Sequence, residues 1–306
     1  MAGISELKRI KEYDSVEACV AFCFGPDIRI DRTRYVGGGD INESYCLDLS
    51  NGQKIFVKKN TIHNYGFFEA EEYGLRLIES LGTIRTPRLL GKGVDRDKKA
   101  SFLIMEMVES SGRSRDFWEM FGRELAAMHR SDTKELVSAG VFGLDVDNYI
   151  GAGRQINTPK DTWIDFFREC RLSVQLKRAE KYFDRNLLRL SGKLLDRLEE
   201  RLVEPEKPSL LHGDLWSGNY VEGSDGKAWL IDPAVYIGHP EADLAMTELF
   251  GRFHADFYRS YMEENPLQEG YQDRRDLYNL YHLLNHLNLF GGSYLPAVAT
   301  IIQRYA

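Results

Sequence analysis

Polar and apolar positions alternate from Ile28 to Val36, and Glu43 to Leu49 is again strand-like. Asn51-Gly52 then marks a type I′ hairpin, because both residues accept the left-handed backbone such a turn needs, and it leads into Gln53 to Lys59. From Gly66 to Leu81 the period becomes helical, with Phe67, Phe68, Leu75, Ile78 and Leu81 on one stripe. Pro87 closes the next connection. Arg88 to Gly91 and Ser101 to Val108 predict two further strands, joined by the charged turn Asp95 to Lys99. With a short helix in front, these elements predict a small antiparallel sheet of five strands and one key helix.

After Ser110-Ser111-Gly112 the pattern turns helical: Arg113 to Arg130, Thr162 to Arg185, Leu187 to Val203 and most of Ala242 to Tyr305. Only Leu210-Leu211, Tyr220-Val221 and Ala228 to Ile231 look extended there, with Ser224-Asp225-Gly226 turning between the last two. The chain therefore predicts an α+β, two-lobed protein divided within Glu109 to Gly112, as residues 1–108 and 109–306. No internal repeat, low-complexity tract or coiled-coil heptad interrupts it.

Composition narrows the class. Forty Lys and Arg against 47 Asp and Glu give a net charge of -7, which disfavours nucleic acid as a partner. The 43 % apolar content suffices for a globular core. Four cysteines without close, even spacing predict no disulfide framework and a reducing, cytoplasmic setting; Cys19 and Cys23, four apart on a helix, read as small buried residues. Glu6, Lys8 and Arg9 precede any apolar stretch, so neither a signal peptide nor a membrane span is expected.

The chemistry concentrates in His212-Gly213-Asp214-Leu215-Trp216-Ser217-Gly218-Asn219 and in Asp232-Pro233-Ala234 thirteen residues later. An acid, an amide oxygen five residues on and a second acid beyond a short apolar strand form the spacing of phosphoryl-transferring loops. Asp214 suits the base, with a carboxylate of ordinary basicity sufficing, and Asn219 and Asp232 offer the hard oxygens that Mg²⁺ prefers. Lys58 ends the apolar run Ile55-Phe56-Val57, where alternation puts it on one face with Phe56. A buried ammonium needs a partner. Glu71 stands on the apolar stripe of the next helix, three after Phe68 and four before Leu75, whereas Glu69 and Glu72 read as solvated. Gly37-Gly38-Gly39-Asp40 between the first two strands brings backbone N–H groups toward phosphate, with Asn42 and Ser44 supporting the turn; it matches neither dinucleotide nor P-loop patterns.

Leu210 to Asn219, Asp232-Pro233-Ala234 with Tyr236, Gly238 and His239, Phe56-Val57-Lys58 and Met105-Glu106-Met107 together resemble the fructosamine kinase (ketosamine-3-kinase) family. Thr162 to Arg168 with Leu172, and Asn285-His286 through Phe290 to Tyr294, extend the likeness over nearly the whole chain. The resemblance implies a protein-kinase-like fold of the aminoglycoside phosphotransferase and choline kinase type. It makes Asp214 the base, Asn219 and Asp232 the Mg²⁺ ligands and Lys58–Glu71 the pair that anchors ATP phosphates. Met105 is the gatekeeper and Glu106 with Met107 meets adenine, while the glycine turn read above adds Gly38, Gly39 and Asn42 as candidates to line the phosphates. Trp216 and His286 are the substrate-side candidates, an indole for the apolar side of a sugar and an imidazole for its hydroxyls. Pro233, where protein kinases have phenylalanine, stiffens the segment against forming a mobile activation loop. Asp40 stands where some members carry a cysteine, so disulfide-controlled dimerisation is not implied, and a monomer or weak dimer is expected.

The implied activity is ATP-dependent phosphorylation of a ketosamine, small-molecule or protein-bound, at the sugar 3-hydroxyl of a fructosamine or ribulosamine, leading to deglycation. Residue spacing leaves open the same chemistry on an aminoglycoside, choline or another sugar, and a nucleotide-binding pseudokinase, which would be expected to lack one of Lys58, Asp214, Asn219 or Asp232.

Overall fold

A computed structural model of the protein describes residues 10–37, 41–110 and 112–306. The chain forms two compact units, Met1–Phe117 with Tyr220–Asp232, and Trp118–Asn219 with Pro233–Ala306.

In the first unit the strands are β1 (Glu12–Tyr13), β2 (Ile30–Val36), β3 (Glu43–Leu49), β4 (Lys54–Thr61), β5 (Leu89–Asp95) and β6 (Ala100–Glu106). They form one sheet in the order β1-β5-β6-β4-β3-β2, antiparallel except for β1 with β5. Alternation divides its two faces. On one, Val57, Phe102 and Ile104 pack with Val16, Cys19 and Val20 of α1 (Val16–Phe24). On the other, Phe56, Leu103 and Met105 pack with Phe68 and Leu75 of α2 (Tyr65–Leu81). Ser15 caps α1 by accepting from Ala18 N, and Gly82 ends α2 in the left-handed conformation.

The sheet has six strands rather than the expected five, and β5 runs on to Asp95. The glycines that suggest an early stop serve close packing instead: a Cβ on Gly93 would collide with the carbonyl oxygen of Tyr13 as β1 passes. Two side chains also depart from expectation. Glu72 is 4 % exposed, 2.8 Å from Lys92 and 3.2 Å from Arg76, and it accepts from Ile10 N. Lys92, itself buried on β5, supplies the partner that makes burial of this carboxylate tolerable; Glu69 is exposed. Cys23 is likewise exposed, while Cys19, Cys46 and Cys170 are buried.

The remaining strands are short antiparallel pairs, β7 (Asn148–Ile150) with β8 (Gly153–Gln155), β9 (Ser209–Leu211) with β12 (Tyr236–Gly238), and β10 (Tyr220–Glu222) with β11 (Ala228–Leu230). The β10–β11 hairpin belongs to the first unit, unlike a division after Val108. Leu230 N donates to Arg85 O (2.8 Å), Arg85 pairs with Asp225 (2.6 Å), and Arg113 pairs with Glu222 (2.6 Å).

The helices that follow are α3 (Phe117–Arg130), α4 (Trp163–Phe166), α5 (Ser173–Ala179), α6 (Arg185–Asp196), α7 (Leu198–Arg201), α8 (Pro240–Leu249), α9 (Ala255–Glu264), α10 (Tyr271–Phe290) and α11 (Leu295–Tyr305). A π-helical stretch, Phe167–Leu172, links α4 to α5. It buries Arg171, whose guanidinium lies 3.9 Å from the Tyr236 ring centroid and donates to Asn157 Oδ1 (2.8 Å). Trp163, Phe166, Leu211, Tyr236, Leu277 and Leu284 share the core of the second unit. Among the described residues no helix is long and apolar enough to cross a membrane.

Candidate functional site

The buried strand β9 delivers the chain to His212 and Gly213. Gly213 has φ +81°, and a Cβ there would strike the carbonyl of Ala234, so the turn requires glycine. Asp243 on α8 holds this turn through its backbone, accepting from His212 N (2.7 Å) and Gly213 N (2.8 Å). Its Oδ2 also meets His129 Nε2 at 3.2 Å, and His129 Nδ1 meets the Tyr261 hydroxyl at 2.7 Å. Burial pushes the Asp243 carboxyl upward, but His129, His212 and the Gly213 amide outweigh it, leaving the group below the ordinary carboxylate range.

Asp214 follows the turn, its side chain 20 % exposed. Asn219 Nδ2 donates to both its backbone carbonyl (2.8 Å) and its Oδ2 (3.0 Å), and Asp214 N donates to His212 Nδ1 (3.3 Å). Oδ1 accepts no hydrogen bond from the described residues; His282 Nδ1 stands 3.8 Å from it. Desolvation pushes the Asp214 carboxyl up, Asn219 partly opposes, and the charge of Asp243 adds to the rise, to about 7. An ordinary carboxylate is therefore replaced by one poised near neutrality. Trp216, 36 % exposed, packs edge-on to Phe250 (6.2 Å between centroids), and His286 lies 4.7 Å from the same ring. His286 Nδ1 also meets the carbonyl of His282 at 2.8 Å.

In the first unit Lys58 Nζ donates to Glu71 Oε1 at 2.6 Å. The same ammonium is paired with Asp232 Oδ1, which the sequence did not suggest. Lys58 is buried, while the Asp232 side chain is 43 % exposed and its backbone has φ +54°. This left-handed conformation immediately before a proline is rare for a non-glycine residue and aims the carboxylate at Lys58.

The family model for fructosamine kinase matches residues 13–306. The chain belongs to the fructosamine kinase family. It is 43 % identical over 285 residues to a probable ketoamine kinase of Synechocystis sp., covering 92 % of each chain. To a chloroplastic protein-ribulosamine 3-kinase of Oryza sativa subsp. indica it is 40 % identical over 283 residues, covering 92 % of this chain and 80 % of that one. The crystal structure of a putative fructosamine-3-kinase from Haemophilus somnus superposes with a TM-score of 0.83 at 29 % identity, covering 95 % of this chain and 96 % of that one. The fold is protein-kinase-like. As a fructosamine kinase the chain is an ATP-dependent phosphotransferase with an alcohol group as acceptor.

Several residues expected in a fructosamine kinase site are seen in other engagements. Met105 is buried with Phe68, Leu75 and Leu103, and the Glu106 amide donates to Arg88 O (2.9 Å), so that N–H is already spent. Met107, just beyond β6, is half-buried. Asn42 Oδ1 accepts from Asn60 Nδ2 (2.7 Å), tying the residue just before β3 to β4. Gly38, Gly39 and Asp40 lie outside the described residues. Among the described residues no three His, Cys, Asp or Glu side chains converge as a cation cage. Taken singly, the two candidate ligands each keep an oxygen of the hard kind a divalent ion takes: the Asn219 amide N–H groups are committed to Asp214, leaving Oδ1, and Lys58 takes only one Asp232 oxygen.

Asp243 and His282 were not singled out in the sequence. For Asp243 a signal exists in retrospect, since it is the lone charge within Ala242–Asp243–Leu244–Ala245–Met246.

Proposed function

We propose that this fructosamine kinase transfers the γ-phosphoryl group of ATP to the 3-hydroxyl of a fructosamine or ribulosamine, free or protein-bound. The reading rests above all on Asp214, a carboxylate near neutrality with one oxygen held by Asn219 and the other open. Asp214 orients the acceptor hydroxyl and takes its proton late, as transfer to a loose transition state requires. Lys58, steadied by Glu71, binds the α- and β-phosphates. Asn219 and Asp232 would hold Mg²⁺, which when bound would neutralise the phosphate oxygens. Gly38, Gly39 and Asn42 border the phosphates. Glu106 and Met107 meet adenine, with Glu106 using its carbonyl because its amide is engaged. Trp216 and His286 face the sugar.

A phosphate at C3 is a good leaving group beside a ketoamine. Its loss, followed by hydrolysis, frees the amine, so the role is deglycation. The test is ADP formation by the purified protein with fructoselysine, ribuloselysine, an aminoglycoside and choline. Turnover with either ketosamine, abolished in Asp214→Asn, supports the reading. Turnover only with the aminoglycoside or choline removes the ketosamine assignment, and an unaffected Asp214→Asn variant removes the base.

A further inference from the structure

His282 lies on α10, 3 % exposed, and its Nδ1 is buried without a hydrogen-bond partner among the described residues. Nδ1 stands 3.8 Å from Asp214 Oδ1. That is longer than a direct hydrogen bond of about 2.7–3.2 Å, and a hydroxyl oxygen about 2.8 Å from each atom would bridge them with an angle of about 85° at the oxygen, which a small side-chain adjustment opens. Oδ2 of the same carboxylate is taken by Asn219, so Oδ1 is the oxygen available for proton transfer.

The imidazole is neutral. Burial drives it down to about 3, His286 and Arg171 push the same way, and Asp243 opposes them. The contact with Asp214 is therefore not an ion pair, and a neutral ring has one N–H to give. Buried polar atoms are nearly always hydrogen-bonded, and one left unpaired beside a reacting carboxylate points to a ligand. The ring is also fixed in place: it sits edge-on to Tyr281 (5.1 Å), and the backbone carbonyl of His282 accepts from His286 Nδ1 (2.8 Å).

We propose that His282 Nδ1 and Asp214 Oδ1 together hold the reacting hydroxyl, the oxygen accepting from the imidazole N–H while its proton points at the carboxylate. The proposal rests on the reading of Asp214 as the base. In the transfer, the hydroxyl oxygen bonds to the γ-phosphorus as the bond to the ADP oxygen breaks. The hydroxyl proton passes to Asp214, and His282 neither gains nor loses one. Two-point holding leaves one lone pair free for attack in a defined direction. It also discriminates against an acceptor without that hydroxyl, which would leave both groups unpaired.

The probes are fructoselysine and its 3-deoxy analogue, with binding measured by calorimetry without ATP. The wild type is expected to bind fructoselysine about tenfold more tightly, a ratio that falls about fivefold in His282→Leu, the effect of losing one hydrogen bond. His282→Asn, whose amide reaches the same position, retains most of the ratio. A purely structural role weakens both ligands equally, so an unchanged ratio in His282→Leu overturns the proposal. A second measurement reads the ligand effect on the wild type alone: in ¹⁵N-histidine-labelled protein, with His282 identified by the signals missing from the conservative variant His282→Asn, fructoselysine shifts Nδ1 and the 3-deoxy analogue does not. Equal shifts, or none, overturn it. Phosphorylation of fructoselysine with either negative result defeats this proposal alone, whereas no binding or phosphorylation of any ketosamine defeats the functional reading with it.

Discussion

Asp214→Asn is expected to abolish activity and yet stabilise the protein above neutral pH. The Asp214 carboxyl is raised from an ordinary 3.8 to about 7, chiefly by desolvation. The folded protein therefore holds this proton more tightly than the unfolded chain does. Below pH 4 both states are protonated and the charge has no effect on stability; through pH 4 to 7 stability is lost because the unfolded chain ionises while the folded protein still holds its proton, and above 7 the penalty is complete. At about 1.4 kcal/mol per pH unit the full value is about 4 kcal/mol, and the residual exposure of the side chain reduces it to about 2–3 kcal/mol. The variant removes the charge at every pH, and its side-chain oxygen still accepts from Asn219. At about 2 °C per kcal/mol in a chain of this size, the melting midpoint at pH 8 should rise by about 5 °C, shrinking to about 1 °C near pH 4.5. Midpoints read by circular dichroism across this range test the argument. A gain of equal size at both pH values, or a less stable variant at pH 8, refutes it.

Lys58→Met removes the phosphate anchor and is expected to lower kcat/KM for ATP by about 10²-fold, measured by initial rates, while Glu71→Gln, which leaves Asp232 beside the ammonium, loses less. Asp243→Asn replaces one of the oxygens that hold the two loop amides with an N–H donor. It should destabilise by about 1–3 kcal/mol in urea unfolding, with kcat falling and KM for ATP little changed. Asp232→Asn keeps a residue type that tolerates the left-handed backbone, so its melting midpoint should stay nearer wild type than that of Asp232→Ala, although both lose activity.

Much of the site was legible because its signals are local. Alternation along Ile55–Lys58 and the helical stripe around Glu71 point the two side chains into one buried layer, and they meet at 2.6 Å. The Asp214-to-Asn219 spacing is likewise a property of a single loop. What could not be read depends on elements distant in sequence. Lys92 reaches Glu72 from another strand and reverses a solvated assignment made from the helix alone. Asp243 bonds to the turn 30 residues before it, and His282 approaches Asp214 from α10; on their own helices both look like isolated polar residues in apolar runs. The parallel β1 strand is only two residues long, too short for any periodicity, and the glycines that accommodate it imitate a turn. The pairing of Asp232 with Lys58 depends on a backbone conformation that no side-chain pattern encodes.

The central claim, phosphoryl transfer to a ketosamine hydroxyl, is tested most directly by identifying the product. Whichever of fructoselysine and ribuloselysine is turned over should, on incubation with the protein, ATP and Mg²⁺, give one ADP per new phosphomonoester, located at C3 by ³¹P and ¹³C NMR, followed by the appearance of free lysine. ADP accumulating with inorganic phosphate from the outset and no phosphorylated sugar would contradict the account.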